Sequence, residues 1–215
     1  MTPDTAATPP LSLPPELLDA VRRIAGTDHL LVAMDFDGTI SPIVDHADAA
    51  RPLERSAAAF AELAKLPRTT TALISGRALA SLREVASPPE ATLLIGSHGA
   101  EAWLGPGSTE LQLDDAQREL LAEVREVLAG ISQEAPGTVL EDKPAGVVLH
   151  TRRAADDVTD EDAIARLGSG DVGVKVGLDF TQAEFRVEAP VHVAELLEAV
   201  LRERRRNVPG DASHM

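Results

Sequence analysis

The sequence contains no cysteine and very few aromatic residues. The absence of cysteine excludes disulfides, thiolate metal sites and a cysteine nucleophile. With four Phe, one Trp and no Tyr among 215 residues, a hydrophobic core has to be built from Ala, Val, Leu and Ile. No apolar run approaches the roughly eighteen residues of a membrane-spanning helix, and the first residues lack the basic and then apolar pattern of a signal peptide. We therefore expect a soluble, cytoplasmic protein.

Basic residues are also scarce in this sequence. There are 20 Lys and Arg against 35 Asp and Glu, which gives a formal net charge of −15. A surface of this sign repels the phosphate backbone of nucleic acids, and almost no aromatic rings are available to stack on bases. Neither nucleic acid nor a membrane is therefore expected as a partner.

Strand-like and helix-like patterns alternate through the first half of the chain. The alternation predicts a Rossmann-like parallel sheet covered by helices, in the α/β class. Because the first strand is an unbroken apolar run, we expect it to be buried on both faces. The predicted segments are helix 14–26, strand 29–35, helix 52–66, strand 69–74, helix 77–86 and strand 91–96.

The pattern changes after residue 100 and predicts a smaller α+β insertion. Residues 100–113 have the composition of a hairpin around a Gly-Pro-Gly turn. Residues 114–131 place an apolar stripe along one side of a helix. Residues 138–152 predict two short strands joined by a Pro/Gly turn.

Signals of the α/β core return near the C-terminus. They predict a short helix that opens in the acidic string 157–162, a strand at 172–177 and a helix at 190–206. The arginines at the end of that last helix carry the sign that favours a helix C-terminus, and we expect them to be solvated. The predicted regions are a disordered arm at 1–13, a first core segment at 14–110, an insertion at 111–155, a second core segment at 156–206 and a tail at 207–215.

The most informative string is Asp-Phe-Asp-Gly-Thr, which follows the first predicted strand. Residues two apart in extended backbone point to the same side, so the carboxylates of Asp35 and Asp37 are expected to face one site. Open α/β sheets bind ligands at this end of their strands. Two neighbouring carboxylates repel each other unless a cation lies between them, and oxygen ligands suit Mg²⁺. A solvated acidic turn is the alternative, but the preceding buried strand argues against it.

The second predicted strand also ends in a polar string, Leu-Ile-Ser-Gly-Arg at 73–77. The hydroxyl of Ser75 and, after Gly76, the first amides of a helix can form an anion site. Ordinary helix capping by Ser75 is the alternative. This string alone does not decide between the two.

A third string, Asp-Asp-Val-Thr-Asp-Glu-Asp at 156–162, clusters carboxylates on a loop that enters a helix. Its alternative is an acidic first turn favoured by the helix dipole. All three strings resemble motifs of the haloacid-dehalogenase-like (HAD) phosphatase superfamily. The resemblance implies that Asp35 is the nucleophile that forms an aspartyl-phosphate and that Asp37 is the general acid/base. It also implies Mg²⁺ binding by Asp35, Asp37 and Asp156, and phosphate binding by Ser75 and Gly76.

Three further strings narrow the resemblance to one family. They are Ile-Gly-Ser-His-Gly-Ala-Glu at 95–101, the segment 141–152, and Val-Thr-Asp-Glu-Asp-Ala together with Gly-Val-Lys-Val-Gly within 158–177. Together they resemble trehalose-6-phosphate phosphatases across nearly all of residues 28–202. The resemblance implies a HAD core, and it identifies the insertion at 111–155 as a portion of a cap domain that closes over the sugar phosphate.

The same resemblance implies a set of substrate-binding residues. Carboxylates and amides suit sugar hydroxyls, while lysine and arginine suit a phosphate or a cluster of hydroxyls. Without the family match, Lys143 and Arg152 would fit a solvated hairpin face, and a lone His98 would more often be structural. The implied residues are His98, Glu101, Glu141, Lys143, His150 and Arg152.

The sequence departs from the family pattern before the third acidic string. The family has several dozen residues there, which carry the second half of the cap, a Lys-Gly pair and the strand that delivers the acidic loop. Here His150–Ala154 runs directly into 155–162, and no apolar run precedes Asp156. Either the protein carries a deletion, or this sequence omits residues of the molecule. An unpaired strand edge inside a parallel sheet costs about 1–3 kcal/mol per buried unsatisfied group, which favours omission.

Three functional interpretations remain open at this point. The leading one is a monomeric, Mg²⁺-dependent phosphatase that converts trehalose 6-phosphate to trehalose and phosphate. A related phosphatase acting on a sucrose- or glycerate-linked phosphate is the second. The third is a catalytically silent protein that binds sugar or a partner protein. The missing motif lysine favours the silent protein, whereas the presence of Asp35 and Asp37 opposes it.

Overall fold

The computed structural model describes residues 13–108, 112–134, 138–143, 146–150 and 164–208. Several predictions lie outside these residues: the N-terminal arm except for Leu13, Arg152, the acidic string 156–162 with the start of its helix, and the tail beyond Val208. Leu13 is buried in the hydrophobic core.

Five α-helices are present in the described portion of the chain. The first and the last begin with a proline in their first turn, where the missing N–H removes no intrahelical hydrogen bond. Each helix begins and ends within three residues of the predicted positions. The helices are α1 (Pro15–Ala25), α2 (Glu54–Leu63), α3 (Leu79–Ala86), α4 (Asp115–Glu134) and α5 (Pro190–Asn207).

The described strands form one larger sheet and two pairs. The larger sheet has the order β1-β2-β3-β4, and its first three strands are parallel. The mixed α/β class with a mostly parallel sheet is therefore confirmed. The strands are β1 (Leu30–Asp35), β2 (Thr69–Ile74), β3 (Leu93–Gly96), β4 (Glu101–Trp103), β5 (Val139–Lys143), β6 (Gly146–His150), β7 (Val174–Val176) and β8 (Phe185–Val187).

The register of the parallel strands brings three chain segments to one edge of the sheet. Asp35 is paired with Ile74, and Ile74 is paired with Ile95. The residues that follow these strands therefore leave the sheet side by side. All the motifs predicted for the core, apart from the third acidic string, begin at this edge.

The predicted hairpin at 100–113 stays a prediction, because its second arm includes residues 109–111, which lie outside the described residues. The turn exists, since Ser108 donates from its backbone amide to the carbonyl of Gly105 and accepts from the amide of Leu104 through its hydroxyl. However, β4 pairs in antiparallel fashion with β3, where Trp103 lies opposite Leu94. The apolar partner on β3 decides the pairing, and periodicity within 100–113 carries no information about it.

The expectation that β1 is buried on both faces is also wrong. Leu31 is 60% exposed, because β1 is the end strand of its sheet in the described portion of the chain. The parallel pair β7–β8 forms a separate sheet, and its second strand was not predicted from the sequence. Among the described strands β1 has one partner only, and the sequence has no apolar run before Asp156.

One of the terminal arginines contradicts the prediction of a solvated helix end. Arg204 is 1% exposed, and burial lowers the pKa of its guanidinium below the ordinary value, with the nearby Arg68 charge acting in the same direction. The side chain lies under the loops that lead into β1 and β2, where backbone carbonyls need donors. Its guanidinium donates to the carbonyls of Ala25, Thr27, Asp28 and Arg68 and to the hydroxyl of Thr69.

Within the predicted insertion, the described residues include α4, which packs against the β5–β6 hairpin. Arg125 of α4 donates to the carboxylate of Asp142 on β5 at 2.7 Å. The predicted two strands of this hairpin are confirmed, and they pair in antiparallel fashion. In the described portion of the chain, four members of the apolar stripe of α4 remain exposed: Leu120, Val124, Val127 and Ile131.

No helix among the described residues is long and apolar enough to cross a membrane.

Candidate functional site

The chain after β1 forms a compact turn that keeps Asp37 near the edge of the sheet. Phe36 is fully buried and accepts a hydrogen bond on its carbonyl from the amide of Ser41 at 2.9 Å. The amide of Gly38 donates to the carbonyl of Ser41 at 2.8 Å. Gly38 has a φ of +80°, which a side chain rarely tolerates. The glycine of the Asp-Phe-Asp-Gly-Thr string is therefore required by the backbone.

Asp35 and Asp37 occupy different surroundings although they are two residues apart. Asp35 is the last residue of β1 and is half-buried. Asp37 lies in the turn and accepts two hydrogen bonds from Arg77, at 2.6 Å from Nε and 2.7 Å from Nη2. A guanidinium thus compensates the charge of Asp37, and the Mg²⁺ expected between the two carboxylates stays a prediction.

Sequence reasoning missed Arg77, although it belongs to the Leu-Ile-Ser-Gly-Arg string. Its side chain is 10% exposed, lies 5.4 Å from the centre of the Phe36 ring and donates through Nη1 to the carbonyl of Ala47 at 2.6 Å. The sequence contained enough information to place Arg77, because neighbouring parallel strands end at the same edge of a sheet. A basic residue two positions after Ser75 was therefore bound to lie near the acidic turn.

Ser75 does not cap a helix, which removes the alternative interpretation of its string. Helix α3 begins at Leu79, and its N-cap residue is Ala78, without a side-chain hydrogen bond. The Ser75 hydroxyl instead accepts from the amide of Arg77 at 3.2 Å, and the Ser75 amide donates to the carbonyl of Ile95 at 2.9 Å. Phosphate binding by Ser75 and Gly76 stays a prediction.

The first amide of α3 already has an anionic partner. The backbone N–H of Leu79 donates to the carboxylate of Glu101 at 3.1 Å, and the hydroxyl of Ser97 donates to the same oxygen at 2.6 Å. The sequence predicted that helix amides after Gly76 would be available to a phosphate. For this amide the prediction is wrong, since Glu101 of β4 occupies it.

The loop between β3 and β4 has an unusual backbone. Ser97, His98 and Gly99 have φ values of 49°, 53° and 90°, a left-handed region that costs energy for residues with a side chain. Ser97 donates from its amide to the carbonyl of Arg77 at 2.7 Å. A Cβ on Gly96 would lie 2.7 Å from that same carbonyl. The close approach of the two loops therefore requires glycine at 96. His98, two residues later, lies on an exposed turn.

The β5–β6 hairpin contains three of the remaining predicted substrate residues, Glu141, Lys143 and His150. In its register, Glu141 lies opposite Val148, Lys143 opposite Gly146, and Val139 opposite His150. Directly opposite residues of an antiparallel pair share a face, so positions 141, 143 and 150 belong to one face of the hairpin. Their roles stay predictions, and Arg152 lies outside the described residues.

The predicted magnesium site is only partly covered by the described residues. Asp35 and Asp37 are present at the edge of the sheet, and Asp156 lies outside the described ranges. Among the residues that the structure describes, no group of three or more His, Asp or Glu side chains is arranged to hold a metal ion. The donor set named by the sequence consists of carboxylate oxygens alone, which fits Mg²⁺.

Comparison with known proteins gives consistent matches. The family model described as trehalose-phosphatase matches residues 33–178, which is more than half of the chain. A trehalose-phosphate phosphatase of Mycobacterium avium is 40% identical over 144 residues, covering 66% of this chain and 36% of that protein. The Mycobacterium leprae protein of the same name is 35% identical over 161 residues, covering 70% and 36%. The chain thus spans little more than a third of these relatives.

Solved structures support the fold. A trehalose-6-phosphate phosphatase of Aspergillus fumigatus aligns with a TM-score of 0.61 at 21% identity, and it covers 87% of this chain and 96% of that one. The C-terminal domain of the C. albicans trehalose-6-phosphate phosphatase aligns with a TM-score of 0.68 at 19% identity, with the same coverage. At these identities the likeness concerns the fold alone. Together with the match of the family model, it leads to one conclusion: the chain belongs to the trehalose-phosphatase family.

Proposed function

We propose that this protein hydrolyses trehalose 6-phosphate to trehalose and phosphate through an aspartyl-phosphate. The observation that carries the proposal is the edge of the parallel sheet, where Asp35 ends β1 next to the turn of Asp37 and beside Ser75. Family membership and the names of the relatives supply the substrate class. The division into a HAD core and a partial cap at 111–155 belongs to the same proposal.

In the first half of the reaction, a carboxylate oxygen of Asp35 attacks the phosphorus atom. The bond between phosphorus and the sugar oxygen breaks, and Asp37 gives a proton to that oxygen. Splitting the hydrolysis in this way replaces one difficult step with two easier ones. The hydroxyl of Ser75 and the backbone at Gly76 bind the oxygens of the phosphoryl group.

In the second half, Asp37 takes a proton from a water molecule. The oxygen of that water bonds to phosphorus while the bond to the Asp35 oxygen breaks, which releases phosphate and restores the Asp35 carboxylate. One carboxyl group thus serves as acid in one half-reaction and as base in the other.

Magnesium fits the donor set of this site, and we propose Asp35, Asp37 and Asp156 as the residues that hold it. When bound, Mg²⁺ supplies positive charge that offsets the phosphate and permits a carboxylate to approach it. Within the described residues, Arg77 also supplies positive charge to Asp37.

Substrate specificity is proposed to come from two surfaces. One is the exposed His98 turn with Glu101, and the other is the face of the hairpin that includes positions 141, 143 and 150. Contacts far from the phosphate can be used to order the reacting group in the transition state. Arg152 completes the proposed set.

A catalytically silent protein that binds sugar or a partner is the second candidate. The observation that favours it is the unpaired edge of β1 among the described strands, with Leu31 60% exposed, together with the absence of the motif lysine from the sequence. An open edge beside the proposed nucleophile would leave Asp35 less firmly held than a central strand does.

Phosphate release from trehalose 6-phosphate, measured with and without Mg²⁺, separates the two candidates. Turnover that EDTA removes and Mg²⁺ restores supports the phosphatase. Binding of trehalose or trehalose 6-phosphate without any release of phosphate supports the silent protein. Glucose 6-phosphate and sucrose 6-phosphate serve as substrates that test the sugar.

A further inference from the structure

The side chain of Arg77 forms hydrogen bonds with the proposed acid/base residue and with a neighbouring loop. Its Nε and Nη2 donate to both oxygens of Asp37, at 2.6 and 2.7 Å, and its Nη1 donates to the carbonyl of Ala47 at 2.6 Å. Paired hydrogen bonds from a planar guanidinium fix the plane of a carboxylate as well as its position. The carboxylate of Asp37 therefore has one orientation in this structure.

Neighbouring groups also restrict the side chain of Arg77. Arg77 is 10% exposed and packs over the buried Phe36 ring, so its long side chain has little freedom left to lose. Its own carbonyl accepts from Ser97, and its amide donates to Ser75. A side chain anchored at backbone and head group can position a partner, whereas a surface ion pair cannot.

We propose that Arg77 is a positioning residue for the second half of the reaction, in which it aims the Asp37 carboxylate at the attacking water. This inference rests on the proposed phosphatase function. Both Asp37 oxygens accept hydrogen bonds from Arg77, so the guanidinium fixes the orientation of the group that takes the proton from water. The proton goes to Asp37 while the water oxygen bonds to phosphorus and the bond from phosphorus to Asp35 breaks.

The test uses 2,4-dinitrophenyl phosphate, whose leaving group needs no proton, so that the first half-reaction does not depend on Asp37. For Arg77→Ala we expect kcat to fall about ten-fold or more and kcat/KM to stay within about three-fold. A burst of one equivalent of dinitrophenolate should precede the slow phase, since the aspartyl-phosphate accumulates. Added guanidinium ion should restore some of the lost kcat.

A matched control is Arg83→Ala. Arg83 also stacks on an aromatic ring, 5.1 Å from the centre of Trp103, but it does not belong to the proposed site, and its removal should leave kcat and kcat/KM unchanged. If Arg77→Ala lowers kcat and kcat/KM equally and shows no burst, Arg77 serves folding or substrate binding, and the positioning role is overturned.

A second measurement tests whether Arg77 holds Asp37 independently of turnover, and it applies even if the protein releases no phosphate from any substrate. That result would overturn the proposed function, and the pair is then tested by urea unfolding of Arg77→Ala, Asp37→Asn and the double variant. We expect the unfolding constants of the single variants to combine non-additively, by roughly five-fold or more. Additive effects would mean that Arg77 does not hold Asp37. The pair Arg83→Ala with Asp37→Asn provides the additive reference.

Discussion

Arg204 of α5 and the backbone carbonyl of Arg68, which precedes β2, are joined by a hydrogen bond of 2.6 Å. The same guanidinium donates to the carbonyl of Ala25 at the end of α1 and to the hydroxyl of Thr69. Because Arg204 is 1% exposed, its guanidinium has to find its hydrogen-bond acceptors within the protein. The last helix therefore stabilises the segments that lead into the two strands carrying Asp35 and Ser75.

Replacement of Arg204 by methionine should destabilise the protein strongly. Methionine has a similar length and fills the same space, but it removes all five hydrogen bonds of the guanidinium. The buried carbonyl of Ala25 is among the acceptors that lose this donor, and a buried acceptor left unpaired costs about 1–3 kcal/mol. We expect the free energy of unfolding in urea to fall by roughly 3 kcal/mol.

The neighbouring Arg206 gives the control for that experiment. It is exposed and pairs with Glu203 one turn away on the same helix, and such pairs contribute less than about 1 kcal/mol. Arg206→Ala should change the unfolding midpoint very little. Equal losses for Arg204→Met and Arg206→Ala would contradict the special role of Arg204.

Glu101 should stabilise the site in addition to any contact with sugar. Its carboxylate accepts from the amide of Leu79 and the hydroxyl of Ser97, so Glu101→Ala removes the partner of a helix N-terminal amide. We expect a loss of about 1–2 kcal/mol in the free energy of unfolding. Glu101→Gln keeps an acceptor oxygen and should recover most of that loss.

A stability of Glu101→Ala equal to that of the unmodified protein would contradict this account. Glu101 would then serve the substrate alone, as the sequence resemblance implies. Thermal unfolding of the three proteins side by side is sufficient to decide.

The sequence predicted the frame of the site well because the frame depends on local patterns. The apolar run of β2 ends at Ile74, as predicted, and the alternation of strands and helices required Asp35 and Ser75 to lie at one edge. Contacts between distant segments were not accessible in this way. The burial of Arg204 depends on three chain segments, and the periodicity of a helix shows only where its apolar residues point.

Two other differences between the structure and the sequence-based predictions also arise from contacts between distant segments. β4 pairs with β3 because Trp103 meets Leu94 there, and no signal within 100–113 shows this. The exposure of Leu31 follows from the absence of a described strand beside β1, whereas an apolar run only indicates that a neighbour is expected. The pairing of Arg77 with Asp37 was missed although both motifs were recognised, because they were interpreted separately.

The hairpin of the insertion should affect specificity without affecting the chemistry. We expect Glu141→Ala or Lys143→Ala to lower kcat/KM for trehalose 6-phosphate by a factor that corresponds to about 1–3 kcal/mol for each charged hydrogen bond lost. A small aryl phosphate does not extend to the cap, so its kcat/KM should stay nearly constant.

Asp142 offers a control on the same strand. It pairs with Arg125 of α4, and its position alternates with those of Glu141 and Lys143. Asp142→Asn should therefore leave the preference for the sugar phosphate intact. Equal losses on both substrates for Glu141→Ala would assign that residue to the fold or to the reaction itself.

The central claim is that Asp35 receives the phosphoryl group of trehalose 6-phosphate. Asparagine is nearly the same size as aspartate but cannot accept a phosphoryl group, so the most direct measurement is phosphate release by the unmodified protein and by Asp35→Asn, with Mg²⁺ and with matched circular dichroism. The account predicts release of phosphate and trehalose by the unmodified protein and none by Asp35→Asn, with unchanged spectra. Substantial turnover by Asp35→Asn, or none by the unmodified protein, would contradict it.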